Sequence, residues 1–303
     1  MAETVILAEG LSKRYGSHPA LHRLDLAVAP GEVFGFLGPN GAGKTTAIRL
    51  LLDLLRPTAG IVRVLGENPR AGGARLRRRI GYLPGDLRLE GRQTGRELLT
   101  FLGNLRGGVS RRRIDGLAER LDLDLGRSIG GLSKGNKQKV GLVQAFMGDP
   151  ELLVLDEPSG GLDPLLQQEF RAMAREARVQ GRTVFMSSHV LAEVEHVADR
   201  VAILRAGELV ATEAIEVLRQ RAPRRVEIRF AAPVPAAAFE WLTGVREVQV
   251  DGDLLRCLVE GGADALVKAA AQFPVVSLIS HEPDLEEIFL AYYTAEGGGR
   301  RAA

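Results

Sequence analysis

Residues 38–46 read Gly38-Pro39-Asn40-Gly41-Ala42-Gly43-Lys44-Thr45-Thr46, which has the GxxxxGK[ST] spacing of a phosphate-binding loop. An apolar run at residues 33–37 precedes it, and apolar residues at helical spacing follow it, so the loop joins a predicted strand to a predicted helix. Its glycines allow successive backbone N–H groups to face an anion, and the helix N-terminus adds a positive dipole end. We therefore expect all nine residues to bind the phosphates of a nucleotide. The Lys44 ammonium would contact the β- and γ-phosphates, and the Thr45 hydroxyl would ligate Mg²⁺.

A second chemical signal lies at residues 152–157, which read LLVLDE and end in two adjacent carboxylates. An apolar run without polar alternation is expected for a strand that is buried on both faces of a parallel sheet. Carboxylates are costly in such a place unless the site uses them. Asp156 fits the role of a Mg²⁺ ligand, and Glu157 would lie near the γ-phosphate, where a carboxylate can polarise an attacking water.

The composition is that of an ordinary globular protein, and it excludes several classes. The chain has 303 residues, of which 45% are hydrophobic and 26% charged, with a formal net charge of +2 and one cysteine. A charge this close to zero gives no support to a nucleic acid partner, and a single cysteine excludes an intrachain disulfide. No apolar stretch is long enough to cross a bilayer, and the first residues do not resemble a signal peptide. We therefore expect a soluble protein of a reducing compartment.

Residues 1–220 alternate between predicted strands and predicted helices, which indicates an α/β domain with a parallel sheet. Residues 86–149 differ from the rest of this domain because they are Arg-rich and mostly helical in pattern. We expect them to form a helical insert in a P-loop NTPase core.

Residues 221–296 follow a charged join and form a predicted accessory domain. Their pattern is strand, helix (235–243), strand, strand, helix, strand and a last helix (284–293). This order matches a small α+β domain of the ferredoxin-like type. Residues 297–303 are a predicted tail.

Further motifs, taken in order, resemble those of the ABC family of ATPase subunits over about residues 3–218. Residues 132–138, LSKGNKQ, resemble the LSGGQ signature, and residues 159–164, SGGLDP, resemble the D-loop. The sequence Ser187-Ser188-His189 resembles the segment with the switch histidine. Tyr15 occupies the place of the aromatic residue that stacks on adenine.

This resemblance implies an ATPase that works as a head-to-tail dimer of two copies of the chain. The ATP on one subunit's loop would be closed over by Ser133 and Gly135 of the second copy, whose helix N-terminus can donate to the γ-phosphate. Asp163 would communicate across the dimer interface, and His189 would contact the γ-phosphate and orient the water. The expected catalytic residues are then Lys44, Glu157 and His189, while Tyr15, Ser133, Gly135 and Asp163 join the loop as residues that bind ATP.

Two positions depart from the family pattern. Gly85 stands where the family usually has the glutamine of the Q-loop, and Asp86 follows it. Either Asp86 replaces that glutamine as a ligand of Mg²⁺, which prefers oxygen, or the metal keeps an additional water. Within the signature, Lys134 replaces a glycine, and its ammonium either attracts the partner's ATP phosphates or points into solvent.

The resemblance also implies a membrane partner, because an ABC motor subunit without a spanning segment needs a separately encoded permease. The C-terminal extension resembles that of drug, antibiotic or polysaccharide exporters. The main hypothesis is therefore export of a drug, antibiotic or other hydrophobic small molecule by a cytoplasmic subunit, peripheral on the inner face of the cell membrane. The alternative is a soluble ABC ATPase that acts on the ribosome or on DNA, although the segment between Lys44 and Asp156 is too short for the coiled coils of chromosome or repair relatives.

The arginine clusters at residues 77–79 and 111–113 leave two interpretations open. Both are either solvated helix faces or contacts with the permease or with anionic lipid headgroups.

Overall fold

The computed structural model describes residues 4–281, apart from the side chain of Arg221. The chain divides into two compact units, with the division between Glu213 and Ala214. The boundary that we predicted between residues 220 and 221 lies within a helix, Ile215–Arg221. The predicted last helix at 284–293 and the predicted tail at 297–303 lie outside the described residues.

The first unit contains nine strands and seven helices among the described residues. In chain order they are β1 (Ile6–Tyr15), β2 (His18–Val28), β3 (Val33–Leu37), α1 (Lys44–Leu51), β4 (Ala59–Val64), α2 (Pro69–Arg78), β5 (Ile80–Leu83), α3 (Gly95–Leu105), α4 (Arg111–Arg120), α5 (Lys134–Phe146), β6 (Leu152–Asp156), α6 (Pro164–Val179), β7 (Thr183–Ser188), α7 (Leu191–Val194), β8 (Arg200–Arg205) and β9 (Glu208–Ala214).

The central sheet of this unit has six strands in the order β5-β6-β7-β3-β8-β9. The pairs β5–β6, β6–β7, β7–β3 and β3–β8 are parallel. Strands β3, β6 and β7 are buried along their whole length, which explains why their sequences lack polar alternation. Because the carboxyl ends of parallel strands meet at one edge, Leu37, Asp156 and Ser188 end side by side there. The predicted α/β core is confirmed.

A second, antiparallel sheet in this unit has the order β2-β1-β4. Its inward side chains, such as Ile6 and Leu24, join one hydrophobic core with Ile48 of α1 and Phe36 of β3. The hairpin between β1 and β2 pairs Tyr15 with His18, which places Tyr15 at the tip of this sheet.

The predicted helical insert at residues 86–149 contains α3, α4 and α5, and each begins with a side-chain cap. The Thr94 hydroxyl accepts from the backbone N–H of Glu97, whose carboxylate accepts from the backbone N–H of Thr94 in return. The Ser110 and Ser133 hydroxyls each accept from the backbone N–H three residues later.

The second unit contains α8 (Ile215–Arg221), β10 (Arg224–Phe230), β11 (Val245–Asp251), β12 (Leu254–Val259), α9 (Asp264–Ala270) and β13 (Val275–Ser280). Its four strands form one antiparallel sheet in the order β11-β12-β10-β13. The ferredoxin-like assignment stays a prediction, since the last helix lies outside the described residues.

The helix that we predicted at residues 235–243 is wrong, because only one turn of 3₁₀ helix, Ala236–Ala238, forms there. Phe239 has a φ of −122°, and its ring is fully buried between those of Phe230 and Phe273, at 5.8 and 5.9 Å between centroids. The alanines before it would bury little apolar surface in a longer helix, so the burial of Phe239 determines the backbone conformation of this segment.

The described part of the chain includes no helix with enough length and apolar character to cross a membrane.

Candidate functional site

The phosphate-binding loop leaves β3 and enters α1 with its lysine inside the turn. Gly43 precedes the helix with a φ of 110°, and a Cβ there would lie 2.7 Å from the carbonyl oxygen of Ala20, so only glycine fits. Lys44 is 6% exposed, and its Nζ donates to the carbonyl oxygens of Gly38 at 2.6 Å and Pro39 at 3.3 Å. The loop thereby surrounds a positive charge with backbone groups.

Asp156 lies fully buried at the end of β6, where two hydroxyl groups hold its carboxylate. Its Oδ2 accepts from Thr45 Oγ1 at 2.8 Å, and its Oδ1 accepts from Ser187 Oγ at 2.5 Å. Mg²⁺ usually takes one or two protein oxygens and completes its shell with phosphate and water. The adjacent hydroxyl and carboxylate oxygens of Thr45 and Asp156 fit that requirement.

Glu157 follows Asp156 in the left-handed region, with a φ of 51° that is unfavourable for a residue with a side chain. Its Oε1 lies 3.3 Å from Lys44 Nζ, and its Oε2 accepts from His189 Nδ1–H at 2.7 Å. Its backbone N–H donates to Ser187 Oγ at 3.1 Å. The structure therefore brings the three residues that we predicted to be catalytic into one chain of contacts.

A cavity of about 850 Å³ opens in front of these groups. Tyr15, residues 39–46 of the loop, Asp86 and Glu157 all line it. This volume lies in the range of small-molecule sites. The Tyr15 ring is 48% exposed, and Lys13 Nζ lies 5.3 Å from the centroid of the ring.

Sequence reasoning missed several residues of this site. His18 and His22 of β2, Arg49 of α1 and Gly207 between β8 and β9 also line the cavity. They belong to no motif, because the pairing of distant strands brings them there. In the sequence Ser187 stands out only as part of the motif that ends in His189, whereas the register of β6 on β7 pairs it with Asp156.

Comparisons with known proteins agree with this geometry. A family model described as "ABC transporter" matches residues 21–160. The daunorubicin resistance ATP-binding protein of Streptomyces coeruleorubidus is 38% identical over 306 residues, 96% of each chain. The chain belongs to the ABC transporter family. The bacitracin transport ATP-binding protein of Enterococcus faecalis is also 38% identical to this ABC subunit, over 222 residues and 72% of each chain. ATP binding and ATP hydrolysis are the activities of such subunits.

Two solved structures share the fold of this ABC subunit. One is the ATP-binding subunit of an ABC transporter, with a TM-score of 0.66 and 30% identity, and the match covers 72% of this chain and 92% of that chain. The other is a dimeric bacterial ABC transporter cassette, with a TM-score of 0.63 and 23% identity, over 69% of this chain and 98% of that chain. The second comparison supports the fold alone.

Four of the predicted ATP-binding residues of the ABC subunit, Gly38, Ser133, Gly135 and Asp163, are not among the described residues that line the cavity. Ser133 caps α5, and Asp163 caps α6 by accepting from the backbone N–H of Leu166 at 3.0 Å. A Cβ on Gly135 would lie 2.7 Å from the carbonyl oxygen of Gly161 in the D-loop. Gly135 therefore has a packing role within its own chain.

The position of the missing Q-loop glutamine is crowded in this ABC subunit. A Cβ on Gly85 would lie 3.0 Å from Asp156 Oδ2, so the glycine lets the backbone pass close to the Asp156 carboxylate. Asp86 lines the cavity, but its carboxylate pairs with Arg88 Nη2 at 2.9 Å. Both partners are mostly exposed, and such pairs contribute little, about 0–1 kcal/mol.

A separate apolar groove of about 360 Å³ lies in the first unit, between the central sheet and the helical insert. Leu52, Tyr82, Leu98 and Leu102 are among its lining residues. Burial and the nearby negative charge of Asp156 raise the pKa of the Tyr82 phenol.

The two arginine clusters are partly paired within the chain. Arg79 contacts Glu151 Oε1 at 2.5 Å, and Arg113 contacts Asp149 at 2.6 Å. Arg77 lines the apolar groove together with Arg106, whose pKa is lowered by burial. Each cluster therefore includes an arginine that forms an ion pair within the chain and is not simply a solvated helix face.

Proposed function

We propose that two copies of this ABC subunit hydrolyse Mg²⁺-ATP between them and power export of a drug, antibiotic or other hydrophobic small molecule through a separately encoded permease. The observation that carries the proposal is the contact chain Lys44–Glu157–His189 beside the Thr45–Asp156 pair, at the edge of a cavity of nucleotide size.

The proposed roles follow from the contacts. The loop N–H groups and the Lys44 ammonium would bind the phosphates, and Tyr15 would stack on the base with the ring face that Lys13 does not cover. Thr45 and Asp156 would hold Mg²⁺, which supplies charge neutralisation at the phosphates when it is bound. Asp86 stays a proposed third ligand, because its exposed ion pair with Arg88 costs little to break.

Glu157 and His189 would act on the water that attacks the γ-phosphate. The Glu157 carboxylate is held between a cation and an imidazole, so it can accept a proton from a water without losing its orientation. His189 is half-exposed, and its Nε2 is left to face the γ-phosphate while Nδ1 donates to Glu157. The pair would therefore orient the water and the phosphate together.

A second copy of the chain would complete the site. Ser133 caps α5 with its hydroxyl, and the N-terminus of α5 carries backbone donors that suit a γ-phosphate. Ser133, Gly135 and Asp163 are not among the described residues that line the chain's own cavity, so they would contact the ATP that is bound to the second copy. Lys134 and Lys137, on exposed or half-exposed positions of the first turn, would add attraction for its phosphates.

The permease would bind at the apolar groove with a helix from its cytoplasmic side. Phe101 and Leu105 of α3 are each 58% exposed and continue the apolar surface of the helix that carries Leu98 and Leu102. Arg77 and Arg106 add positive charge, so an amphipathic helix with an acidic residue is the complementary partner. This contact would keep the subunit at the cytoplasmic face of the membrane.

The names of similar proteins support export of a small molecule. Besides the two resistance and transport proteins given above, the Nod factor export ATP-binding protein of a Rhizobium strain is 32% identical over 296 residues, 96% of this chain and 97% of that protein. These names belong to transport systems, which favours a permease over the ribosome or DNA as the partner.

The test uses Lys44→Ala with Lys268→Ala as its matched control, since Lys268 is exposed and its ion pair among the described residues is with Asp264, four residues away. We expect Lys44→Ala to lower ATP turnover by about 100-fold or more, while Lys268→Ala keeps the wild-type rate. Equal turnover of the two variants would refute the proposed site.

The permease contact is tested by co-purification from detergent-solubilised membranes of the source cell. Leu102→Glu places a charge in the groove, and Val179→Glu places the same charge on a side chain that is 84% exposed at the end of α6. We expect a protein with several membrane spans to co-purify with wild type and Val179→Glu but not with Leu102→Glu. Loss of the partner in both variants, or in neither, would contradict this surface.

A further inference from the structure

Gln138 lies in the second turn of α5 with only 6% of its side chain exposed. Its Nε2 donates to the carbonyl oxygen of Glu157 at 3.2 Å and to that of Pro158 at 3.1 Å. A side-chain amide has two N–H donors, so both are used on two successive carbonyls of the segment that follows β6.

The segment that Gln138 holds is conformationally unfavourable. A residue with a side chain is unfavourable in the left-handed region, and it persists there only where its surroundings determine it. At Glu157 two side chains do so, because Ser187 Oγ accepts from its N–H and Gln138 donates to its carbonyl oxygen. The backbone of Glu157 is thereby fixed on both sides.

We propose that Gln138 is a positioning residue for Glu157, one that holds the carboxylate at the place from which it acts on the attacking water. This inference rests on the proposed role of Glu157. The direction of the Glu157 side chain depends on its backbone torsions, and the left-handed conformation aims it at Lys44 and His189. Without the amide, the backbone can relax toward an ordinary conformation and the carboxylate moves away from both.

The test compares Gln138→Leu with the wild-type chain in steady-state ATP hydrolysis. Leucine keeps much of the shape and removes both hydrogen bonds. A displacement of about 1 Å can lower a rate about 100-fold, so we expect kcat to fall by about 10- to 100-fold while the KM for ATP stays within about twofold. The matched control is Gln167→Leu, which removes a side-chain amide bond to the carbonyl of Leu162 at 3.3 Å in the D-loop. We expect it to keep the wild-type kcat.

A second comparison separates positioning from a general loss of structure. In a Glu157→Gln background the carboxylate is already absent, so adding Gln138→Leu should lower the residual turnover by no more than about twofold. Gln138→Glu gives an independent readout, since its acid donates to a carbonyl only when protonated. We expect its kcat, relative to wild type at the same pH, to rise as the pH falls.

The outcomes distinguish the inference from the proposed function. Glu157→Gln with wild-type turnover would refute the role of Glu157 itself. Loss of turnover in Glu157→Gln with unchanged kcat in Gln138→Leu would overturn only the positioning role. A parallel loss of kcat and ATP affinity, or an equal further loss in the Glu157→Gln background, would show that Gln138 merely stabilises the fold. Gln138→Met also lacks the amide and is measured in parallel. If Gln138→Leu does not fold, the same criteria are applied to Gln138→Met.

Discussion

Adding a single methyl group at Gly85 tests the crowding beside the Asp156 carboxylate, the proposed Mg²⁺ ligand. In Gly85→Ala the Cβ would lie 3.0 Å from Asp156 Oδ2 and 3.1 Å from Asp156 Cγ. An ordinary contact begins at about 3.5 Å, so the carboxylate would have to move by about half an ångström. It cannot do so freely, because Thr45 and Ser187 hold its two oxygens.

The cost of this overpacking is about 1–3 kcal/mol, which corresponds to a fall in Tm of about 2–12 °C for a unit of this size. The displaced carboxylate should also weaken the proposed Mg²⁺ site, since disturbing the orientation of a metal ligand typically costs 10-fold or more in metal affinity. Thermal unfolding without nucleotide measures the first effect. The Mg²⁺ concentration at half-maximal ATP turnover measures the second, and we expect it to rise about 10-fold.

Gly116→Ala is the matched control, because a Cβ there has no atom within 4 Å and the residue lies inside α4. We expect this variant to gain about 0.5–1 kcal/mol and to keep the Mg²⁺ dependence of the wild type. An unchanged Tm together with an unchanged Mg²⁺ dependence in Gly85→Ala would show that a Cβ at position 85 does not displace the Asp156 carboxylate.

Three further predictions concern single side chains. Ser187→Ala should destabilise the protein by about 3 kcal/mol, since it leaves an Asp156 oxygen and the Glu157 N–H without their hydroxyl partner. Chemical denaturation measures this loss of stability, and a loss below about 1 kcal/mol would contradict the prediction. Asp86→Ala should raise the Mg²⁺ concentration for half-maximal turnover if Asp86 ligates the metal as proposed, and an unchanged value would assign that position to water. Burial raises the pKa of the Cys257 thiol to about 11. The free energy of unfolding of the wild type relative to Cys257→Ala should therefore fall as the pH rises from about 8.5 toward 11. A difference that is independent of pH would contradict this.

The core of the site could be predicted from the sequence because its chemistry depends on residues close together in the chain. The loop at residues 38–46 needs only a strand before it and a helix after it, and both are visible as periodic patterns. The pair Asp156–Glu157 likewise ends an apolar run that only a buried strand explains. Sheet geometry then brings the two motifs together.

The supporting contacts could not be predicted, because they depend on register and on packing between distant segments. Ser187 reaches Asp156 through the pairing of β6 with β7, and Gln138 reaches Glu157 through the packing of α5 on the segment after β6. The error at residues 235–243 has the same origin, since the burial of Phe239 among other aromatic rings overrides the local helical pattern.

The most direct test of the central claim is the ATP-dependent association of Glu157→Gln, measured by light scattering on a sizing column. We expect a monomer without nucleotide and a stable dimer with Mg²⁺-ATP, because hydrolysis no longer opens the two sites. A further Lys44→Ala substitution should abolish that dimer. A Glu157→Gln chain that binds ATP and remains monomeric would contradict the claim that two copies enclose the nucleotide.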